Sequence, residues 1–141
     1  MGELMGMYVW KDSFNTGIED IDQQHRMFLD LLNECSEYAY SSNSAGIVPG
    51  FVARLKAYSV MHFVFEEKLI RASGYTGLES HEAQHVYFMN QIAELEEAIR
   101  RGVTEKAANL AGFMRDWLIN HILEEDKKYL PYLAAENLVT K

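Results

Sequence analysis

The side chains able to do chemistry in this sequence are five histidines and the acids spaced around them. His25, His62, His81, His85 and His121 are all the histidine in 141 residues, and each stands where apolar residues recur every three or four positions. The runs His62-Phe63-Val64-Phe65-Glu66 and His81-Glu82-Ala83-Gln84-His85 put two donors one turn apart on one helix face. A third run, His121-Ile122-Leu123-Glu124-Glu125-Asp126, supplies an imidazole followed by carboxylates. Such groups are costly to bury unless they are paired or bind a metal, so the pattern predicts a metal site. Five imidazoles and two carboxylates exceed what a four-coordinate zinc can use. They suit two metals bridged by both carboxylates, with three histidines on one ion and two on the other. A solvent-derived bridging oxygen then leaves the first ion six-coordinate and the second five-coordinate, with one position open to a small ligand.

The elements that must position these donors read as four amphipathic helices. A first, over residues 18 to about 40, carries His25 on the stripe of Ile21, Phe28 and Leu32, with Asp20 and Asp22 in the first turn complementing the helix dipole. A polar turn over 41–46 precedes Pro49, which suits the first turn of a second helix running to about residue 73. On that helix His62 and Glu66 share the buried side with Leu55, Leu69 and Ile70. Gly74 fits a helix-ending position. A third helix over about 78–101 carries His81, His85, Phe88, Ile92, Leu95 and Ile99, with Glu94, Glu96 and Glu97 facing water. Thr104 is a good N-cap for a fourth helix, which runs to about residue 129 before Pro131, its stripe formed by Leu110, Phe113, Met114, Trp117, Leu118, His121 and Ile122. The fold class expected is all-α, an antiparallel up-down-up-down four-helix bundle in one domain over 1–141. Residues 1–17, with Trp10 and Phe14, read as an irregular arm, and the last ten residues as a frayed tail.

Composition narrows the functions. The net charge of −8, from 21 acidic against 13 basic residues, argues against a nucleic-acid surface, which needs clustered Lys and Arg. Cys35 is the only cysteine, so neither an internal disulfide nor a thiolate cluster can form, and a buried thiol is expected. The N-terminus lacks a basic region followed by an apolar run, and no stretch approaches the roughly 18 apolar residues of a membrane span. A cytoplasmic monomer with no membrane insertion is expected.

The run Gly17-Ile18-Glu19-Asp20-Ile21-Asp22-Gln23-Gln24-His25, then His62-x-x-x-Glu66, His81-x-x-x-His85 and His121-x-x-x-x-Asp126, resembles the hemerythrin family in its bacterial form, over nearly the whole chain. The resemblance implies two iron ions (Fe2+/Fe3+) with a bridging oxo or hydroxo oxygen, and dioxygen as the ligand. It implies reversible oxygen binding for storage, transport or delivery to an unidentified acceptor, and no enzymatic turnover. By the same resemblance His81, His85 and His121 bind the six-coordinate iron, His25 and His62 the open one, and Glu66 and Asp126 bridge. Leu118 and Ile122 flank His121, and Phe28 follows His25 by three positions. They are the expected apolar wall of an oxygen pocket, keeping out water and protons that would leave inert diferric iron.

Two other readings compete. A ferritin-like di-iron oxidase wants Glu-x-x-His from two helices, and only Glu82-Ala83-Gln84-His85 fits, with Glu82 beside the donor face rather than on it. A sensor of oxygen, redox state or iron would act through a separate partner. The fourth helix also poses a conflict. Periodicity from His121 favours Glu124 or Glu125 as the bridge, whereas the resemblance points to Asp126, about 140° away on a regular helix. Either one π-type turn between His121 and Asp126 reconciles them, or the carboxylate approaches the second iron from another side.

Overall fold

The computed structural model describes residues 8–39, 44–102 and 106–135. Its long helices are α1 (Glu19–Ala39), α2 (Ser44–Ser73), α3 (Leu78–Arg100) and α4 (Lys106–Asn120). A π-turn (His121–Glu125) carries α4 into the short α5 (Asp126–Lys128), and α6 (Leu130–Ala135) follows a bend. Both α1 and α3 border α2 and α4, so the four long helices occupy the corners of a bundle. Cross-helix contacts run in opposite sequence order: Gln24 with His62 and Glu34 with Arg54 between α1 and α2, Arg71 with Glu82 and Lys56 with Glu96 between α2 and α3. Gln84 with His121 and Phe88 with Trp117 do the same between α3 and α4. Neighbouring helices in these three pairs are therefore antiparallel.

The apolar stripes meet in two clusters rather than one. Phe28, Leu32, Val52, Leu55, Phe88, Ile92, Leu110, Met114 and Leu118 belong to the larger. Ile18, Ile21, Ile70, Tyr129 and Leu133 form the smaller. On α1, His25 lies between Ile21 of one cluster and Phe28 of the other; Glu66 on α2 lies likewise between Phe63 and Ile70. The bundle thus holds a polar layer between two apolar plugs. Each fully buried large side chain contributes roughly 1.5–3 kcal/mol, and the plugs offset the desolvation of the layer they enclose. Cys35 is buried in the larger cluster, where loss of solvent pushes its thiol up to about 12.

Glycine sets two of the element ends. Gly17 (φ 89°) turns the arm into α1 and Gly74 (φ 78°) ends the α2 region, both in the left-handed conformation glycine adopts at little cost. In the arm, Asp12–Phe14 forms one 3-10 turn, Phe14 is buried with Trp10 edge-on at 5.3 Å, and Lys127 Nζ donates to the Ser13 carbonyl at 2.5 Å.

Several expectations need correction. α2 begins at Ser44, not Pro49, and Pro49 lies inside it. Proline there removes one bond to the carbonyl of residue 45, near a helix end where Gly46 and Gly50 are exposed, which costs less than in a buried interior. Of the last ten residues, read as a frayed tail, 132–135 are helical and Leu133 of α6 is fully buried against the smaller cluster, while 136–141 lie outside the described residues. Glu96 does not face water, because it reaches Lys56 at 3.1 Å with its side chain mostly covered. Asp22 does more than complement the dipole: it is buried and accepts from the Thr16 backbone N–H and hydroxyl, both at 2.7 Å, and from the Gly17 N–H at 3.3 Å. Thr104, read as an N-cap, and the side chain of Ile122 lie outside the described residues.

Candidate metal centre

All five histidines are buried, as are Glu66 and Asp126. Their donor atoms converge in two groups that share one carboxylate. Glu66, His81, His85 and His121 offer atoms within 4.8 Å of one another, and so do His25, His62 and Glu66. Glu66 Oε1 stands 2.9 Å from Nε2 of both His81 and His85, 3.4 Å from Nε2 of His121 and 3.9 Å from Nε2 of His62. Asp126 spans the same divide: Oδ1 is 2.8 Å from His121 Nε2 and 3.2 Å from His81 Nε2, and Oδ2 is 2.8 Å from His25 Nε2.

Asp126 reaches this position through the π-turn. Its backbone N–H bonds to the His121 carbonyl five residues back, so the helix widens by one residue and brings the two side chains into contact. Glu124 is exposed, and Glu125 turns outward to Gln84 and Lys128. The turn brings Asp126, the residue to which the resemblance points, into the buried layer and leaves Glu124 and Glu125 outside it.

The Asp126 oxygens and His25 Nε2 are buried at these short separations, yet none makes a hydrogen bond with acceptable alignment. Lone pairs that converge on a point rather than on each other are what a shared cation satisfies. Charge points the same way. Burial pushes the Glu66 carboxyl up, but hydrogen bonds from His121, His81 and His85 overcome this and hold it well below the usual carboxylate range. Burial and the Glu66 charge push Asp126 up, and the charge of His121 outweighs them. His121 is lowered by burial but raised to about 10 by Asp126 and Glu66, and His81 is likewise brought up to about 9. His62, dominated by burial, is pushed down to about 3 and so presents a neutral imidazole. Two ionised carboxylates and several imidazoles in a dry layer fit divalent or trivalent iron.

Partners in a surrounding layer fix which nitrogen faces inward. His62 Nδ1 lies 2.5 Å from Gln24 Oε1, His85 Nδ1 2.6 Å from Glu67 Oε2 and His121 Nδ1 3.3 Å from Gln84 Oε1. These oxygens accept, so each Nδ1 keeps its proton and each Nε2 is the nitrogen that faces the centre, where it offers a lone pair once a bound cation displaces any proton it carries. Tyr129 Oη donates to Glu66 Oε2 at 2.9 Å. Phe63 stacks on His85 at 3.9 Å and 8°, and Trp117 on His121 at 4.4 Å and 12°. Sequence reasoning missed Gln24, Glu67, Gln84 and Tyr129 in these roles, although the first three each sit next to a donor in the chain.

Of the three residues expected to wall an oxygen pocket, Phe28 is buried edge-on to His62 at 5.2 Å, and Leu118 is buried in the same apolar cluster as Phe28. Glu82, on which the oxidase reading depends, is instead paired with Arg71 at 2.9 Å on the outside. Among the described residues no helix is long and apolar enough to cross a membrane.

Comparison with known proteins agrees with this geometry. Residues 16–133 match the family described as the hemerythrin HHE cation binding domain. The chain is 33% identical to a bacteriohemerythrin of Methylococcus capsulatus, over 93% of this chain and 100% of that protein. It is 32% identical to a bacteriohemerythrin of Stenotrophomonas maltophilia, over 93% and 84%, and 28% identical to a myohemerythrin of Riftia pachyptila, over 90% and 94%. A crystal structure of wild-type hemerythrin superposes with a TM-score of 0.82 at 31% identity, over 91% of this chain and 98% of that one. With its donors converging in a polar layer between two apolar plugs, this chain belongs to the hemerythrin family, whose members bind oxygen at a non-haem di-iron site.

Proposed function

We propose that the chain binds dioxygen reversibly, as a store or carrier, and turns over no organic substrate. His81, His85 and His121 would hold one iron and His25 and His62 the other, with Glu66 and Asp126 available to both. The observation that carries this reading is the uneven division of donors around a shared Glu66, which leaves fewer protein ligands, and hence room for a small molecule, on the His25/His62 side. A pair of ferrous ions supplies the two electrons that reversible oxygen binding draws on.

The protein's own part is to hold and to shield. The Nδ1 partners keep the Nε2 lone pairs of His62, His85 and His121 inward, and the Tyr129 hydroxyl fixes the plane of Glu66. Phe28 and Leu118, both buried, keep bulk water from the centre. The imidazole-rich donor set favours the ferrous state more than a carboxylate-rich one does, because neutral ligands stabilise the higher charge less.

Anaerobic reduction followed by air, watched by optical spectroscopy, tests the reading. About two irons per chain and a colour that disappears when oxygen pressure is lowered are expected. Stoichiometric peroxide with permanent diferric iron after one exposure would overturn the carrier function.

A further inference from the structure

The partners of the histidines follow a direction around the bundle. Gln24, next to His25 on α1, holds His62 on α2. Glu67, next to Glu66 on α2, holds His85 on α3; Gln84, next to His85 on α3, holds His121 on α4. The sequence stops there. On the segment after α4, Glu125, next to Asp126, turns back to Gln84 at 2.7 Å instead of going on to α1, and His25 Nδ1 is buried with no hydrogen-bond partner among the described residues. Of the three contacts, two come from neutral amides and only one from a carboxylate.

We propose that Glu67 is a positioning residue whose carboxylate, acting through His85, sets the reduction potential of the iron on the three-histidine side. This rests on the di-iron reading above. A carboxylate accepting the Nδ1 proton makes the imidazole a stronger donor, and its negative charge favours Fe3+ over Fe2+ because the attraction grows with the charge of the ion. The Glu67 side chain is 25% exposed, so water screens the effect without abolishing it. Phe63, stacked on the His85 ring with centroids 3.9 Å apart and planes 8° from parallel, resists rotation of the imidazole away from Glu67. The two irons are therefore unequal in the charge around their ligands as well as in ligand number. The His85 side holds Fe3+ more firmly, while the side of His25, whose Nδ1 has no acceptor, favours Fe2+.

Glu67→Gln keeps an acceptor of the same length and removes the charge. Outer-layer changes of this kind alter metal binding about 10- to 100-fold. Expressed against Fe3+ alone, that raises the potential of the affected iron by about 59–118 mV, at 59 mV per tenfold for one electron. The reverse variant, Gln24→Glu, puts a carboxylate on His62 and should lower the potential of the other iron. Iron content and potential are measured on both, together with Zn2+ affinity by competition titration, which should fall in Glu67→Gln without any oxygen chemistry. If wild type and variant each hold two irons at equal potential, the role of Glu67 is wrong and the di-iron reading stands. If wild type does not take up two irons, both fall. Should Glu67→Gln fail to fold, Gln24→Glu decides: a lowered potential supports the proposal, and an unchanged one overturns it.

Discussion

His85 and His121 lie flat against aromatic rings, Phe63 at 8° and Trp117 at 12°, whereas His25 and His62 meet each other edge-on at 67° and Phe28 meets His62 at 81°. On the first side His85 and His121, two of its three imidazoles, also have an acceptor at Nδ1; on the second, among the described residues, only His62 does. One half of the centre is held on its faces and its outer edge, and the other is held mainly by packing at its rims. The difference matches the division of labour proposed here: the crowded half keeps its metal, and the looser half keeps a position for the ligand. A site built to the tighter standard throughout would hold its ions better and leave less room for oxygen.

The strongest test of the comparison removes what the halves share. Glu66→Ala takes a donor from both groups and strips Tyr129 of its acceptor, leaving a buried hydroxyl at a cost of about 1–3 kcal/mol. Iron should be lost from both positions, by more than the roughly 100-fold typical of an outer-layer change, as read by metal analysis. Retention of one full equivalent would show that the halves are independent. Asp126→Ala should come close to this effect, while Glu124→Ala and Glu125→Ala leave iron content near wild type. Loss of the site in Glu125→Ala with a silent Asp126→Ala would contradict the role given to the π-turn.

His25→Ala and His62→Ala should act on one half only, leaving about one iron per chain on the three-histidine side. His81→Ala should instead disturb both, because its Nε2 contacts both Glu66 and Asp126. Equal losses in all three variants would erase the proposed asymmetry.

Much of this was legible in the sequence, because helix period and residue type carry it. The stripe bearing His25, the His62/Glu66 pair and the His81/His85 pair each obey the three-to-four spacing, and no backbone irregularity intervenes. Where the backbone departs from the regular helix, spacing alone misleads: from His121 it selects Glu124 or Glu125, and only the inserted residue of the π-turn brings Asp126 inward. Gln24, Glu67 and Gln84 escaped for another reason. Each sits beside a donor on the half-buried flank of its helix, where a polar residue reads as solvated, and its partner is on the next helix. Cross-helix register decides such contacts, and one helix's periodicity does not contain it. Leu133 is similar: a short apolar run after Pro131 looks like a tail until Ile18, Ile21 and Ile70 are seen to need a cover.

Leu118→Ala tests the apolar shielding of the centre with both irons in place. Removing a buried leucine costs about 2–5 kcal/mol of stability, visible as a lower Tm. Iron content should stay near wild type, while the oxygenated colour decays faster as water gains entry. Unchanged decay in a measurably destabilised variant would remove Leu118 from the wall.

The smallest expected effects come from the rings themselves, and they address the comparison most directly. Trp117→Leu keeps an apolar side chain against His121 but removes the stacked face at 4.4 Å. Aromatic pairs contribute about 0.5–1.5 kcal/mol beyond their area, so the iron on that side should leave for a ferrous chelator roughly 2- to 12-fold faster, since 1.4 kcal/mol is about tenfold. Phe28→Leu removes an edge-on contact to His62 at 5.2 Å and should speed only the release of the other iron. Under anaerobic conditions the wild type should therefore lose iron in two phases, the faster from the side of His25. Trp117→Leu should move the slow phase toward the fast one, and Phe28→Leu should separate them further. If both substitutions accelerate the same phase, the aromatic rings act on the centre as a whole, and the contrast between a clamped half and a loose half does not describe how this protein holds its metal.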